Sequence, residues 1–111
     1  MELPFIINVG DTLDCKPVSG ECPMLYYSFT VTESGKYAFY SSCADGSKKD
    51  TRGYLYDSEG NYIDDEDYSA AGDYYHFYLT CELEAGKTYI FGAKEYYGST
   101  AEFLVTLEKL S

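Results

Sequence analysis

The feature that most constrains this chain is a regular alternation of apolar and polar residues in short runs. Every second side chain is apolar or aromatic from Leu25 to Thr32, and the same period recurs from Tyr74 to Leu83. Successive side chains of a β-strand point to opposite faces, so this period predicts strands with one buried face. The apolar runs lack the spacing of an amphipathic helix. The pattern therefore predicts an all-β fold.

Turn residues separate these strand-like runs along the whole chain. The segments 33–36, 57–61 and 84–87 each contain a glycine and polar neighbours. About eight strands at this spacing are typical of a β-sandwich, in which two antiparallel sheets enclose the inward-facing side chains. A length of 111 residues fits one domain over 1–111, in which we expect 1–3 to be linker or added residues.

Six segments carry a resemblance to a known family: Ile7–Thr12, Tyr26–Val31, Ser34–Phe39, Leu55–Asn61, Leu83–Phe91 and Phe103–Val105. In this order they resemble the bacterial pre-peptidase C-terminal domain, from about Pro4 to Leu107. The resemblance implies a jelly-roll-like β-sandwich without catalytic residues, found in secreted bacterial proteins and often beside a protease or another hydrolase. Some members bind extracellular matrix or calcium. The loop between Cys15 and Cys22 and the 14 tyrosines depart from the family pattern.

The net charge of −11 excludes several classes of partner. Nucleic acids and anionic membrane surfaces both require a basic face. No apolar run approaches the roughly 18 residues of a membrane-spanning helix. Residues 1–4 do not have the pattern of a signal peptide. We interpret the chain as an excised domain of a secreted or cell-surface protein.

The four cysteines support a location outside the cell, and they allow three disulfide connectivities. Cys15 and Cys22 share one loop and predict a short bridge. Cys43 and Cys81 fall on predicted strands and would meet across the core. Two bridges would fit an oxidising compartment, and four unpaired thiols are the alternative.

A run of acidic residues predicts a calcium site, and calcium is the only cofactor that the sequence indicates. Calcium prefers six to eight oxygen ligands, and turn carboxylates supply them. The candidate ligands are Asp57, Asp64, Asp65 and Asp67. The alternative is a solvated loop whose charge keeps the chain from associating.

Outward-facing aromatic residues form the predicted binding surface. Tyrosine gives rigid, amphipathic contact area and is enriched at interfaces. The candidate residues are Tyr54, Tyr56, Tyr74, His76 and Tyr78. Cross-strand aromatic pairing that only stabilises a sheet is the alternative.

We do not expect an enzyme. His76 is the only histidine, no G-x-S-x-G motif is present, and Cys81 projects from the other side of the predicted strand. We predict a non-catalytic accessory or binding module whose partner is an extracellular protein, a polysaccharide or a neighbouring domain. The alternatives are a carbohydrate-binding module and a structural spacer that assists secretion or folding of an attached hydrolase.

Overall fold

The computed structural model describes residues 4–15, 24–42, 51–66, 76–95 and 103–111, which form strands joined by turns. Within these ranges there is no helix, and hence none that could span a membrane. The nine strands of this part of the chain are β1 (Phe5–Ile6), β2 (Thr12–Cys15), β3 (Leu25–Thr30), β4 (Gly35–Ser42), β5 (Thr51–Asp57), β6 (Tyr62–Glu66), β7 (Tyr78–Leu83), β8 (Thr88–Glu95) and β9 (Phe103–Lys109).

These strands form two sheets that pack face to face. One sheet has five strands in the order β1-β3-β8-β5-β6, and the other has four in the order β2-β9-β4-β7. All pairs are antiparallel except β1 with β3. The predicted all-β sandwich is confirmed. The additional strand is β2, which periodicity missed because Leu13 is the only aliphatic residue among its four positions.

The core between the sheets is built largely from aromatic rings. Phe39 of β4 stacks on Phe91 of β8, with ring centroids 4.5 Å apart. Phe77 and Tyr27 lie 5.4 and 6.0 Å from the same Phe39 ring. Because Tyr27 and Phe91 belong to the five-stranded sheet and Phe39 to the other, this cluster joins the two layers. It provides much of the apolar burial that stabilises a domain of this size.

Glycine is required at one place in this core. Gly53 of β5 is buried, and the ring of Phe77 lies directly against it. A Cβ atom at position 53 would come within 2.4 Å of the Phe77 ring. The missing side chain therefore lets Phe77 enter the core beside β5.

Candidate functional site

The side chains of β5 alternate between the core and the outer surface of the five-stranded sheet. Thr51, Gly53 and Leu55 are buried, whereas Tyr54 and Tyr56 are half-buried on the outer face. This is the period expected of a strand with one face on the core. The outer face of the five-stranded sheet therefore carries aromatic rings.

Four tyrosines make up this aromatic surface, which we call the tyrosine face: Tyr26 of β3, Tyr54 and Tyr56 of β5, and Tyr62 of β6. The Tyr56 ring is central, with centroids 6.2 Å from Tyr26, 6.2 Å from Tyr54 and 6.5 Å from Tyr62. The rings of Tyr54 and Tyr56 are nearly parallel, at 16°. Tyr62 is 59% exposed. The four rings form a continuous strip that extends over β3, β8, β5 and β6, and β8 contributes no ring to it.

Gly92 of β8 leaves room within the tyrosine face. Its register partners on the two flanking strands are Tyr26 and Tyr54. A Cβ atom at position 92 would lie 2.6 Å from the sulfur of Met24, so the methionine side chain occupies the space above the glycine. The Tyr56 hydroxyl also lies 4.0 Å from that sulfur. The polarizable thioether of Met24 therefore lies between the aromatic rings of the tyrosine face.

The hydroxyl groups of Tyr56 and Tyr62 remain protonated at neutral pH. Burial, together with the neighbouring Tyr26 and Tyr54, raises the pKa of Tyr56 to about 12. Tyr62 donates a hydrogen bond to Oδ1 of Asp65 at 2.6 Å, and this bond is the main cause of a raised pKa for Tyr62. Both hydroxyls can therefore donate hydrogen bonds.

Two cations flank the Tyr54 ring. The guanidinium carbon of Arg52 lies 5.5 Å from the ring centroid, and Nζ of Lys94 lies 5.7 Å from it. Arg52 also forms an ion pair with Asp65, with Nε 3.0 Å from Oδ2. The hydrogen bond from Tyr62 and the pairing with Arg52 lower the pKa of Asp65. These contacts hold the Tyr54 ring in place by cation–π attraction.

Tyr54 and Tyr56 lie together as predicted, but Tyr78 does not join them. Tyr78 belongs to β7 in the four-stranded sheet, where its ring stacks on Tyr40 with centroids 5.3 Å apart. The prediction of one shared aromatic stripe is therefore wrong for Tyr78, because the two strands lie in different sheets. Tyr74 lies outside the described residues. Sequence reasoning left Tyr26 and Tyr62 out of the site, although Tyr26 occupies an outward position of β3.

The prediction that His76 faces outward is wrong. Its side chain is only 8% exposed, and Nδ1 lies 2.8 Å from Oγ of Ser41. Ser41 Oγ is also 2.6 Å from Oγ1 of Thr51, which accepts a hydrogen bond from the backbone N–H of Phe77. The predicted alternation fails here because β7 begins only at Tyr78. These buried polar groups link β4 to β5 across the sandwich.

Three of the predicted calcium ligands accept hydrogen bonds from protein donors. Oδ1 of Asp57 accepts hydrogen bonds from the backbone N–H groups of Glu59 and Asn61, each at 2.9 Å, and this turn lowers the pKa of Asp57. Asp65 binds Arg52 and Tyr62, as described above. Asp64 accepts a bond from the N–H of Asp65 at 2.8 Å.

The part of the chain that the structure describes does not form a cluster of metal-binding side chains. Within it, no three His, Cys, Asp or Glu side chains lie close enough to hold a metal ion. Asp67 lies outside the described residues. Calcium binding therefore stays a prediction.

Cys81 carries a free thiol, which does not fit the predicted bridge to Cys43. Its register partner is Tyr37, five positions before Ser42 at the end of β4. Five strand residues span about 17 Å, whereas the Cα atoms of a disulfide lie within about 7 Å. Cys22, Cys43 and the side chain of Cys15 lie outside the described residues. A bridge between Cys15 and Cys22 stays a prediction.

We expect the Cys81 thiol to be inert in the folded chain. Burial raises its pKa to about 12, so little of the reactive thiolate exists at pH values near neutrality. Alkylation by iodoacetamide near neutral pH should be slower by about tenfold or more in the native protein than in denaturant. Mass spectrometry of the peptide that contains Cys81 measures the rate. Equal rates in the two states would contradict the burial of this thiol.

The geometry defines a small two-sheet β-sandwich with an aromatic outer face. No family model matches the chain, and no curated protein matches its sequence. Among solved structures, the 1.0 Å crystal structure of the pre-peptidase C-terminal domain of a collagenase from Bacillus anthracis is similar, with a TM-score of 0.71 and 15% identity over 97% of both chains. The chain therefore has the fold of the pre-peptidase C-terminal domain, and the fold that the resemblance implied is confirmed.

Proposed function

We propose that this chain is a non-catalytic binding module of a secreted or cell-surface bacterial protein, and that its tyrosine face holds an extended protein segment. The observation that carries the proposal is the outer strip formed by the half-buried Tyr26, Tyr54 and Tyr56 and the exposed Tyr62. Tyr62 extends the strip with a ring that is 59% exposed, so this ring does not serve mainly to cover the core. Exposed tyrosines with fixed orientations are typical of binding surfaces.

The spacing of the rings favours an extended peptide. Neighbouring centroids are separated by 6.2 to 6.5 Å. Side chains two residues apart on a β-strand point to the same face and are separated by about 6.6 Å. Alternate side chains of an extended segment would therefore meet successive rings. Aromatic-lined surfaces bind proline-rich segments because the polyproline conformation is already ordered before binding.

The structural neighbour supports the same class of partner. That domain belongs to a collagenase, and collagen chains adopt a polyproline-like conformation. By analogy, we place this chain beside a protease or another hydrolase in its parent protein. The module would hold the polymer while the attached enzyme acts on it.

The test is a binding panel with the purified module. We expect binding to immobilised collagen and to a synthetic proline-rich peptide, and no binding to a panel of neutral glycans. Binding to glycans alone would replace this proposal with a carbohydrate-binding module. If the module binds none of these probes, and its deletion reduces secretion of the parent enzyme, the chain is instead a structural spacer.

A calcium ion at the acidic run is a separate part of the proposal. Folding stability rises with any ligand that binds only the native state. If calcium binds, the melting temperature in millimolar calcium chloride should exceed that in chelator, and magnesium at the same concentration should have less effect. Differential scanning fluorimetry makes this comparison. Identical melting curves would contradict calcium binding to the folded module.

A further inference from the structure

We propose that Lys94 and Arg52 make the tyrosine face selective for an extended protein segment that carries a carboxylate beside its stacked residues. This inference rests on the proposed function and specifies the chemistry of the partner. The occupant would be a segment in which an aspartate or glutamate side chain follows residues that contact the tyrosines.

The two cations are placed side by side on the tyrosine face. Arg52 of β5 and Lys94 of β8 are direct register partners. Arg52 is two residues from Tyr54 on one strand, and Lys94 is two residues from Gly92 on the other, so both share the outer face. Their positions within 6 Å of the Tyr54 centroid put them at the end of the strip of rings.

Among the described side chains at this end of the tyrosine face, Arg52 and Lys94 are positive and Asp65 is negative. Asp65 forms the ion pair with Arg52. Lys94 has no carboxylate oxygen within 4.0 Å among the residues that the structure describes, although the chain has 19 acidic residues and a net charge of −11. Lys87 and Lys109 are each paired with a glutamate. Lys94 is therefore held against an aromatic ring instead of an acidic side chain.

An anionic partner would relieve the repulsion between these neighbouring cations. Like charges directly opposite each other on paired strands destabilise a sheet, and a bound carboxylate offsets that cost. The net charge of −11 disfavours the approach of anions to the molecule in general. A carboxylate therefore binds more favourably beside Arg52 and Lys94 than a neutral group does. This difference in affinity makes the tyrosine face selective for acidic segments.

The test compares two proline-rich peptides that differ only in glutamate against glutamine at the same positions. At low salt, we expect the wild-type module to bind the glutamate peptide about threefold to fivefold more tightly, the size of a partly exposed ion pair. Lys94→Gln should remove this preference, and Lys94→Arg should restore it. Lys36→Gln is the matched control, because it removes the same charge from an exposed lysine on the outer face of the other sheet.

Each outcome has a distinct meaning. Equal binding of the two peptides by the wild type, or a preference that survives in Lys94→Gln, would overturn the charge selection and leave the proposed function standing. Failure of the wild type to bind either peptide would overturn both. Tighter binding of polygalacturonate than of either peptide would overturn the assignment to a protein segment. Salt should reduce the expected preference, because the ion pair is partly exposed.

Discussion

Replacing Phe39 with alanine is expected to lower the free energy of unfolding by about 3–5 kcal/mol, the usual cost of removing a buried phenylalanine. The Phe39 side chain is fully buried and contacts Phe91, Phe77 and Tyr27. Removal would open a cavity at the point where the two sheets meet. Since domains of this size are stable by only about 5–15 kcal/mol, a large part of the stability would be lost.

Urea denaturation followed by circular dichroism measures this loss. Tyr40→Ala is the matched control, because Tyr40 follows Phe39 on the same strand but lies half-buried on the outer face. Its ring contacts Tyr78 and its hydroxyl donates to Glu108 at 2.8 Å. These surface contacts contribute about 1 kcal/mol. Equal losses in the two variants would contradict the assignment of Phe39 to the centre of the core.

Replacing Tyr54 and Tyr56 together with alanine is expected to weaken peptide binding by about thirtyfold or more. A central tyrosine that dominates an interface contributes about 2 kcal/mol, and every 1.4 kcal/mol changes affinity about tenfold, so the loss of one such contact already gives this factor. The Tyr56 ring is in contact with all three other rings of the tyrosine face. Its loss would therefore break the strip at its centre.

The control for this variant lies on the opposite side of the molecule. Tyr40 and Tyr78 form a stacked pair on the outer face of the four-stranded sheet. The double variant Tyr40→Ala/Tyr78→Ala removes the same number of rings and should bind the peptide like the wild type. Isothermal titration calorimetry, with melting curves to verify folding, compares the three proteins. A similar loss of affinity in both double variants would contradict a site on the tyrosine face.

The local alternation of side chains was sufficient to predict most strands of this fold. It identified β3, β4 and β8 because each has apolar residues at every second position. It could not assign strands to sheets, because that assignment depends on pairing between distant segments. This is why Tyr78 was grouped with Tyr54 and Tyr56, although β7 and β5 lie in different layers.

Hydrogen bonds within turns and within the core also could not be predicted from sequence patterns. The sequence predicted Asp57 as a metal ligand and did not show that N–H groups of its own turn donate hydrogen bonds to its carboxylate. His76 was predicted to be exposed, but Ser41 of another strand provides a buried partner. Both outcomes depend on the exact path of the backbone. Residue type and spacing therefore indicated which groups were candidates, and the folded geometry decided how each is used.

The most direct measurement of the central claim is a nuclear magnetic resonance titration of the labelled module with the proline-rich peptide. If the tyrosine face binds the segment, the amide shifts of β3, β5, β6 and β8 around Tyr26, Tyr56 and Gly92 will change with peptide concentration. The amides of β4 and β7 near Tyr40 and Tyr78 will keep their free positions. Shift changes centred on Tyr40 and Tyr78, with none around Tyr56, would contradict the account.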